Sequence, residues 1–369
     1  MTDSLHPIAL TLAPGVGSIL IRQLVSYCGS AADVFRSSPA KLQKIPGIGE
    51  VTARAVLKPG LQAEAEQVLR RLEQLNARAL FYTDAGYPSR LKPLYDAPAL
   101  LYYRGQGDLN ATRTIGLVGT RQATDYGRRI TDEIIQSLVP YGVSVISGLA
   151  YGIDVAAHRA SLLNGLPTIG VMASGLDVIY PAVHQKTAQE MQEQGGLLTE
   201  SIPGTKPDAH LFPARNRIIA GLSDAIVVVE AAAKGGALIT AEYANNYHRD
   251  VFAVPGQLTQ TFSQGCNKLI RENKAQIYTS PPDLIEALNW DQPAVSEPRK
   301  QQAPALPLDI TEEESQIVAL LRQSADLHID ELSWKSQIPM GRLASVLLNL
   351  EFRGFVRSLP GKKYQVVYA

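Results

Sequence analysis

The chain has 369 residues, 45% hydrophobic and 19% charged, enough to bury two or three cores and too apolar to be largely disordered. Its 35 basic and 35 acidic residues give a formal net charge of +0, so any anion site must be a local cluster of cations rather than a property of the whole surface. Two cysteines, Cys28 and Cys266, lie far apart and outside any CxxC spacing, which excludes a disulfide framework and a zinc knuckle. Residues 1–7 lack the basic and apolar regions of a leader, and no apolar run reaches membrane-spanning length, so a soluble, cytoplasmic protein without membrane contact is expected.

The first expected unit, residues 1–84, contains a weak repeat. Leu12-Ala13-Pro14-Gly15-Val16-Gly17-Ser18 and Ile45-Pro46-Gly47-Ile48-Gly49-Glu50 each precede a helical pattern. Such a turn exposes backbone N–H groups beside a helix N-terminus, which suits a phosphate oxygen. The same glycines also let two helices turn tightly, and few cations flank them. The pattern resembles tandem helix-hairpin-helix modules. Residues 87–108, with several prolines and tyrosines, read as a connection wrapping onto the next unit.

The second unit, residues 85–290, alternates β-rich runs with helical patterns, as in a parallel α/β sheet. Strands are expected at 114–118, 144–146, 168–172, 197–199, 225–229, 251–254 and 276–278. Small-residue loops follow several of them: Gly119-Thr120-Arg121, Ser147-Gly148-Leu149-Ala150, Ala173-Ser174-Gly175, Lys234-Gly235-Gly236 and Pro255-Gly256. In a parallel sheet the loops at the carboxyl ends of the strands share one edge, so these should converge on one crevice. Arg121 and Lys234 lie in glycine-containing loops of that edge, where a ligand can approach the backbone closely.

Phe212-Pro213-Ala214-Arg215-Asn216-Arg217 leads into an apolar run, which places cations where the chain enters a buried element. Helix positions two apart diverge, so one of Arg215 and Arg217 should contact phosphate and the other form a structural pair, with Asn216 holding the loop. His158 stands four residues after Asp154. That spacing would let a carboxylate orient an imidazole for acid/base work, but a helix-start Asp capping amides above a packed His is the commoner arrangement. Asp177 and His184, flanking Tyr180-Pro181, raise the same alternatives. No G-x-G-x-x-G, Walker or G-x-S-x-G pattern occurs, and no metal-ligand spacing is present, so neither a nucleotide cofactor nor a metal is expected.

Residues 291–310 form a linker rich in proline and glutamine. The third unit, 311–369, opens with a capping-box pattern at Thr311 and Glu314, then alternates helices and two strands in the order of a winged helix. Its candidate recognition helix, 340–352, carries few cations, which favours protein contact over DNA reading.

Taken in order, Gly119-Thr120-Arg121, Ser147 to Asp154 with Ala157-His158, Gly175-Leu176-Asp177, the 212–223 run, 234–240 and Val254-Pro255-Gly256 resemble the DprA/Smf family of bacterial DNA-processing proteins. The resemblance implies a Rossmann-like core between an N-terminal helix-hairpin-helix (SAM-like) domain and a C-terminal winged helix. It implies a dimer that binds single-stranded DNA without sequence preference, protects incoming strands and loads RecA recombinase in natural transformation. By motif position Arg121, Arg215, Arg217 and Lys234 would hold phosphates. Gly119, Ser147, Gly148, Asn216, Gly235, Gly236 and Asn267 would line the path. A rival comes from another class: Gly235, Gly236 and Glu242 also fit the G-G-x-G-T-x-x-E frame of LOG-type nucleotide phosphoribohydrolases, although Leu238 replaces the third glycine and Thr240 falls one place late. A scaffold whose winged helix binds another protein is compatible with the first reading.

Overall fold

Short β-branched runs ended by glycine, serine or alanine build the sheet of this chain. A computed structural model describes residues 4–290, 311–322, 326–353, 355–359 and 362–366, in two units divided after Ala294. In the first unit, α1 (Leu5–Leu12), α2 (Ser18–Cys28), α3 (Ala31–Arg36), α4 (Pro39–Leu42), α5 (Glu50–Val56) and α6 (Leu61–Gln74) precede the strands. The two repeated turns place Gly15 and Gly47 at φ +73° and +77°, where a side chain would be strained. Neither helix hairpin stands apart from the sheet. Ser18 Oγ accepts the Ala99 N–H at 3.0 Å, and Ile8, Leu10, Ile21 and Leu24 share one core with Phe81, Leu100, Tyr102 and Leu197.

The strands are β1 (Arg78–Phe81), β2 (Leu100–Gly105), β3 (Thr114–Val118), β4 (Ser144–Ser147), β5 (Thr168–Val171), β6 (Gly196–Thr199), β7 (Ala225–Val228), β8 (Asp250–Ala253) and β9 (Gln276–Ile277). They form one sheet in the order β1-β2-β6-β5-β4-β3-β7-β8-β9. Pairing is parallel from β6 across to β9, and antiparallel at β1–β2 and β2–β6. Strands β3 to β7 are buried at every position because helices cover both faces, which is why they read as unbroken apolar runs. Helices α7 (Asp125–Leu138) and α8 (Ile153–Leu163) pack on Ile115, Leu117 and Val145. Next in the chain come α9 (Gln185–Gln194), α10 (Leu211–Leu222), α11 (Gly236–Asn246), α12 (Gln264–Arg271) and α13 (Pro281–Ala287). Of these, α10, α11 and α12 cover the opposite face over Ile146, Ile226 and Val228, while α13 joins α7 and α8.

Residues 87–108 are not the plain connection expected from their composition. They contain β2, which lies inside the sheet and pairs with β1 and β6. Tyrosine is a good strand former, and Tyr102 and Tyr103 are each 1% exposed. The Tyr103 hydroxyl donates to Gly107 O and Gly195 O at 2.8 and 2.9 Å, so its polar end is satisfied inside the fold.

The second unit contains α14 (Glu312–Arg322), β10 (Leu327–His328), α15 (Ile329–Ser336), α16 (Met340–Phe352), β11 (Val356–Leu359) and β12 (Lys363–Val366), with sheet order β10-β12-β11. This is the winged-helix arrangement. Its capping box is formed: the Thr311 N–H donates to Glu314 Oε2 at 2.9 Å and the Glu314 N–H to Thr311 Oγ1 at 3.3 Å. Leu332, Leu343, Leu347 and Leu350 make its core. The expected linker, 291–310, and the Pro360-Gly361 turn lie outside the described residues.

Candidate functional site

Beginning at β3, the chain moves through β4, β5 and β6 in one direction, then returns to lay β7 on the other side of β3. The loops leaving β3 and β7 therefore part at their carboxyl ends, which is where open α/β sheets hold ligands. An open pocket of about 330 Å³ occupies this place, lined by Gly119, Thr120 and Arg121 after β3, Ala150 and Asp154 at the start of α8, Phe212, Arg215 and Asn216 on α10, and Lys234, Gly235 and Gly236 leading into α11.

Arg215 forms the floor and is 5% exposed. Its Nη1 donates to Gly148 O and Val171 O, at the ends of β4 and β5, and its Nε donates to Asn216 Oδ1 at 3.2 Å. Burial brings its pKa down to about 10, opposed by the Asp154 charge and assisted by Arg121, so it stays cationic at neutral pH. Burial also pushes the Asp154 carboxyl up, against the attraction of Arg215. The guanidinium reaches the strand ends only because residue 148 is glycine, since a Cβ there would stand 2.3 Å from Arg215 Nη1.

Arg121 and Lys234 make the rim. Both are exposed, and neither forms an ion pair or hydrogen bond among the described residues. The Arg121 guanidinium lies 5.0 Å from the centre of the Phe212 ring, which steers it by cation–π attraction without neutralising it. Between the two cations α11 begins at Gly236, with Gly235 as an N-cap that offers no side chain. Its first N–H groups point out of the helix end and carry the positive end of the helix dipole. Asn216 Nδ2 donates to Gly236 O at 3.1 Å and so holds this turn against α10. A Cβ at Gly235 would meet nothing within 4 Å, so packing inside the protein does not require glycine there.

Other expected site residues lie elsewhere. Arg217 turns away from the crevice: Nη2 pairs with Glu200 and Nη1 donates to Asp96 O at 2.6 Å. Asp96 in turn accepts the Tyr247 hydroxyl at 2.7 Å, so Arg217 ties three segments together. Ser147 Oγ donates to Leu117 O at 2.6 Å between β4 and β3. Asn267 exchanges two hydrogen bonds with the Gly256 backbone, at 2.9 and 3.2 Å, and shapes that loop. Gly148 borders a narrower cleft beside the crevice, with Tyr151, Tyr180, Phe212 and Arg121. Tyr180 meets Phe212 edge-on at 5.9 Å.

Of the two readings of Asp154 and His158, the orienting pair is absent from the hydrogen bonds and the packed histidine is present. His158 is fully buried, with Nδ1 2.7 Å from Thr168 Oγ1 and Nε2 accepting the Leu149 N–H at 3.3 Å. Asp177 accepts the Gly204 N–H at 2.7 Å, and His184 Nδ1 lies 2.9 Å from Leu149 O. Glu242, the acid of the phosphoribohydrolase frame, is exposed on α11 and does not line the crevice. Among the described residues no group of three or more His, Cys, Asp or Glu could hold a metal ion, and no helix is long and apolar enough to cross a membrane. Sequence reasoning assigned no task to Glu230, a 5% exposed carboxylate after β7 that takes the N–H and hydroxyl of Thr124 at 2.9 and 2.5 Å and fixes the start of α7. No residue pattern marks that long-range cap.

Residues 78–289 match the family described as DNA recombination-mediator protein A. The chain belongs to the DprA/Smf family. Two further matches flank that region, a SAM-like helix-hairpin-helix tandem at 8–58 and the DprA winged helix domain at 298–362. A DprA/Smf relative from Synechocystis, Protein Smf, is 32% identical over 99% of both chains. The DNA processing protein DprA of Streptococcus pneumoniae is 43% identical over 55% of this chain and 71% of its own. The X-ray structure of the Streptococcus pneumoniae DprA superimposes with a TM-score of 0.68 at 33% identity, covering 78% of this chain and 98% of that one. A DprA structure from Helicobacter pylori, described for its single-stranded DNA binding mode, gives 0.54 at 29% identity over 59% and 97%.

Proposed function

We propose that this DprA/Smf protein grips single-stranded DNA by its phosphates at the switch-point crevice, without reading sequence and without chemistry on the strand. One observation carries the reading: Arg121 and Lys234, exposed and without an ion pair or hydrogen bond among the described residues, stand in two loops of one crevice whose floor is the buried cation Arg215. An anion drawn between them also meets the N-terminus of α11. Arg121 and Lys234 take phosphates, Gly235 and Gly236 let the strand come close, and Arg215 with Asn216 sets the potential and the shape beneath, while Gly119, whose Cβ would meet Ile153 at 2.4 Å, lets α8 pack against the end of β3. Gly148, Ser147, Arg217 and Asn267 hold the loops that carry these groups. The single-stranded DNA binding of the Helicobacter pylori relative supports the choice of ligand.

Protection of incoming strands, loading of RecA, homodimer formation through the Rossmann-like domain and a cytoplasmic place rest on family membership. So does the division at 1–84, 85–290, 291–310 and 311–369, to which the structure adds that β1 lies before residue 85 yet belongs to the sheet. The winged helix is assigned to protein contact. Arg342 and Arg353 are paired with Glu313 and Glu314, while Leu348 and Phe352 on α16 are 54% and 82% exposed. Neutralised cations draw little from a phosphate backbone.

The test titrates mixed-sequence single-stranded and duplex oligonucleotides against the full chain, with RecA filament assembly on the same single strand followed alongside. Preference for the single strand and faster assembly are expected. Equal binding to duplex, or hydrolysis of nucleoside monophosphates lost on Glu242→Gln, overturns the reading.

A further inference from the structure

Beside the crevice, Leu149 takes a backbone conformation that leucine seldom adopts, with φ +55° in a fully buried position. It lies between Gly148, whose carbonyl anchors Arg215, and Ala150, which lines the crevice. Two imidazoles from different segments grip its two peptide groups. The Leu149 N–H donates to His158 Nε2 at 3.3 Å, and Leu149 O accepts from His184 Nδ1–H at 2.9 Å. The tautomers follow from the partners. Thr168 Oγ1 gives its proton to Val145 O at 3.0 Å, so it must accept from His158 Nδ1–H, which leaves Nε2 a free lone pair for Leu149. A carbonyl can only accept, so His184 Nδ1 carries its proton. The rings are 0% and 3% exposed, and Tyr151 meets the edge of His184 at 5.2 Å. Burial first, then Arg215 and His184, depress the pKa of His158 to about 3, so its acceptor lone pair persists throughout the neutral range.

We infer that His158 and His184 are positioning residues of the crevice, a clamp that holds Leu149 left-handed and thereby keeps the Gly148 carbonyl aimed at Arg215. Relaxation of Leu149 to the right-handed region turns the flanking peptide planes. Arg215 then loses one of its two strand-end anchors, and the loop leading through Ala150 to α8 shifts at the lip. Nothing else in the two histidines' surroundings calls for chemistry: neither lines the crevice. The inference rests on the crevice being the strand grip.

The experiment measures single-strand affinity by fluorescence anisotropy and folding by thermal scan for full-length His158→Phe, His158→Gln, Leu149→Gly and the His158→Phe/Leu149→Gly pair, with Arg121→Ala in the same series. His158→Phe should weaken binding roughly tenfold, the population factor that a non-glycine left-handed residue implies. His158→Gln, which keeps an acceptor, should bind close to wild type. Adding Leu149→Gly, which needs no clamp to stay left-handed, should return most of the affinity lost in His158→Phe. Unchanged binding by His158→Phe while Arg121→Ala is weakened overturns the clamp and leaves the strand grip standing. Unchanged binding by Arg121→Ala overturns the strand grip itself. A loss in His158→Phe that Leu149→Gly does not restore reduces both histidines to core packing and overturns the inference. Should His158→Phe fail to fold, His184→Phe with and without Leu149→Gly decides the matter by the same criteria.

Discussion

Two glycines, Gly148 against the buried Arg215 and Gly235 on the crevice, should answer oppositely to one added methyl group. At Gly148 a Cβ would stand 2.3 Å from Arg215 Nη1 and 2.6 Å from its Cζ. Arg215 cannot simply swing aside, because its guanidinium is buried, donates to Gly148 O and Val171 O, and sits near the buried Asp154 carboxyl. Overpacking of this kind costs about 1–3 kcal/mol, and a displaced charge-assisted hydrogen bond about 1.5–3 kcal/mol. Reduced freedom of the unfolded chain returns under about 1 kcal/mol. Gly148→Ala should therefore destabilise by about 3 kcal/mol, a fall of roughly 5 °C in melting temperature for a unit of this size. At Gly235 the same methyl meets nothing within 4 Å. Gly235→Ala should thus melt within about 2 °C of wild type, since a surface change without a partner stays within about 0.5 kcal/mol. Its effect should appear instead in single-strand affinity, where the methyl stands in the strand's approach. Thermal scans and anisotropy titrations of both variants read these outcomes side by side. Equal melting of Gly148→Ala and Gly235→Ala would refute the account of Arg215 as a pinned floor.

Arg217→Ala should lower stability by about 2–3 kcal/mol, because it leaves the mostly buried Glu200 without its cation, yet leave the salt dependence of single-strand binding as in wild type; a slope flatter by about 0.7 would instead make Arg217 a phosphate contact. Acid sensitivity follows from His158. Its pKa is 6.5 in the reference state and about 3 when folded, so the unfolded chain binds the extra proton and stability falls as pH drops below about 6.5, by about 2 kcal/mol at pH 5. The raised carboxyls of Asp154 and Glu200 act in the opposite sense, since their folded forms hold protons longer. The difference between wild-type and His158→Phe melting curves from pH 7 to 5 isolates the histidine, and parallel curves would contradict its assignment.

Strands β3 to β7 were legible because they are buried on both faces at every position, a demand that is local. β2 was hidden. Its place between β1 and β6 depends on antiparallel pairing with β6, about a hundred positions away, and Tyr103 satisfies its hydroxyl partly through the equally distant Gly195 O. The divergence of Arg215 and Arg217 could be read from helix geometry, whereas which one faces the crevice depends on where Val171 O and Glu200 come to lie. Arg121 and Lys234 stood out by their small-residue loops, and the switch-point topology brings both loops to one crevice. For His158 the commoner reading, a packed histidine, matches the structure, but its partners Leu149 and Thr168 belong to the preceding loop and the next strand and leave no local pattern. The left-handed Leu149 left no trace in the sequence, because leucine is not a residue that announces positive φ.

The central claim is that Arg121 and Lys234 meet phosphates at the crevice. It is tested most directly by titrating one single-stranded oligonucleotide over a series of salt concentrations against wild type, Arg121→Ala, Lys234→Ala and the double variant. Each removed contact should weaken binding and flatten the slope of log affinity against log salt by about 0.7, and the double variant should flatten it by about 1.4. Unchanged affinity and slope in the double variant would contradict the account.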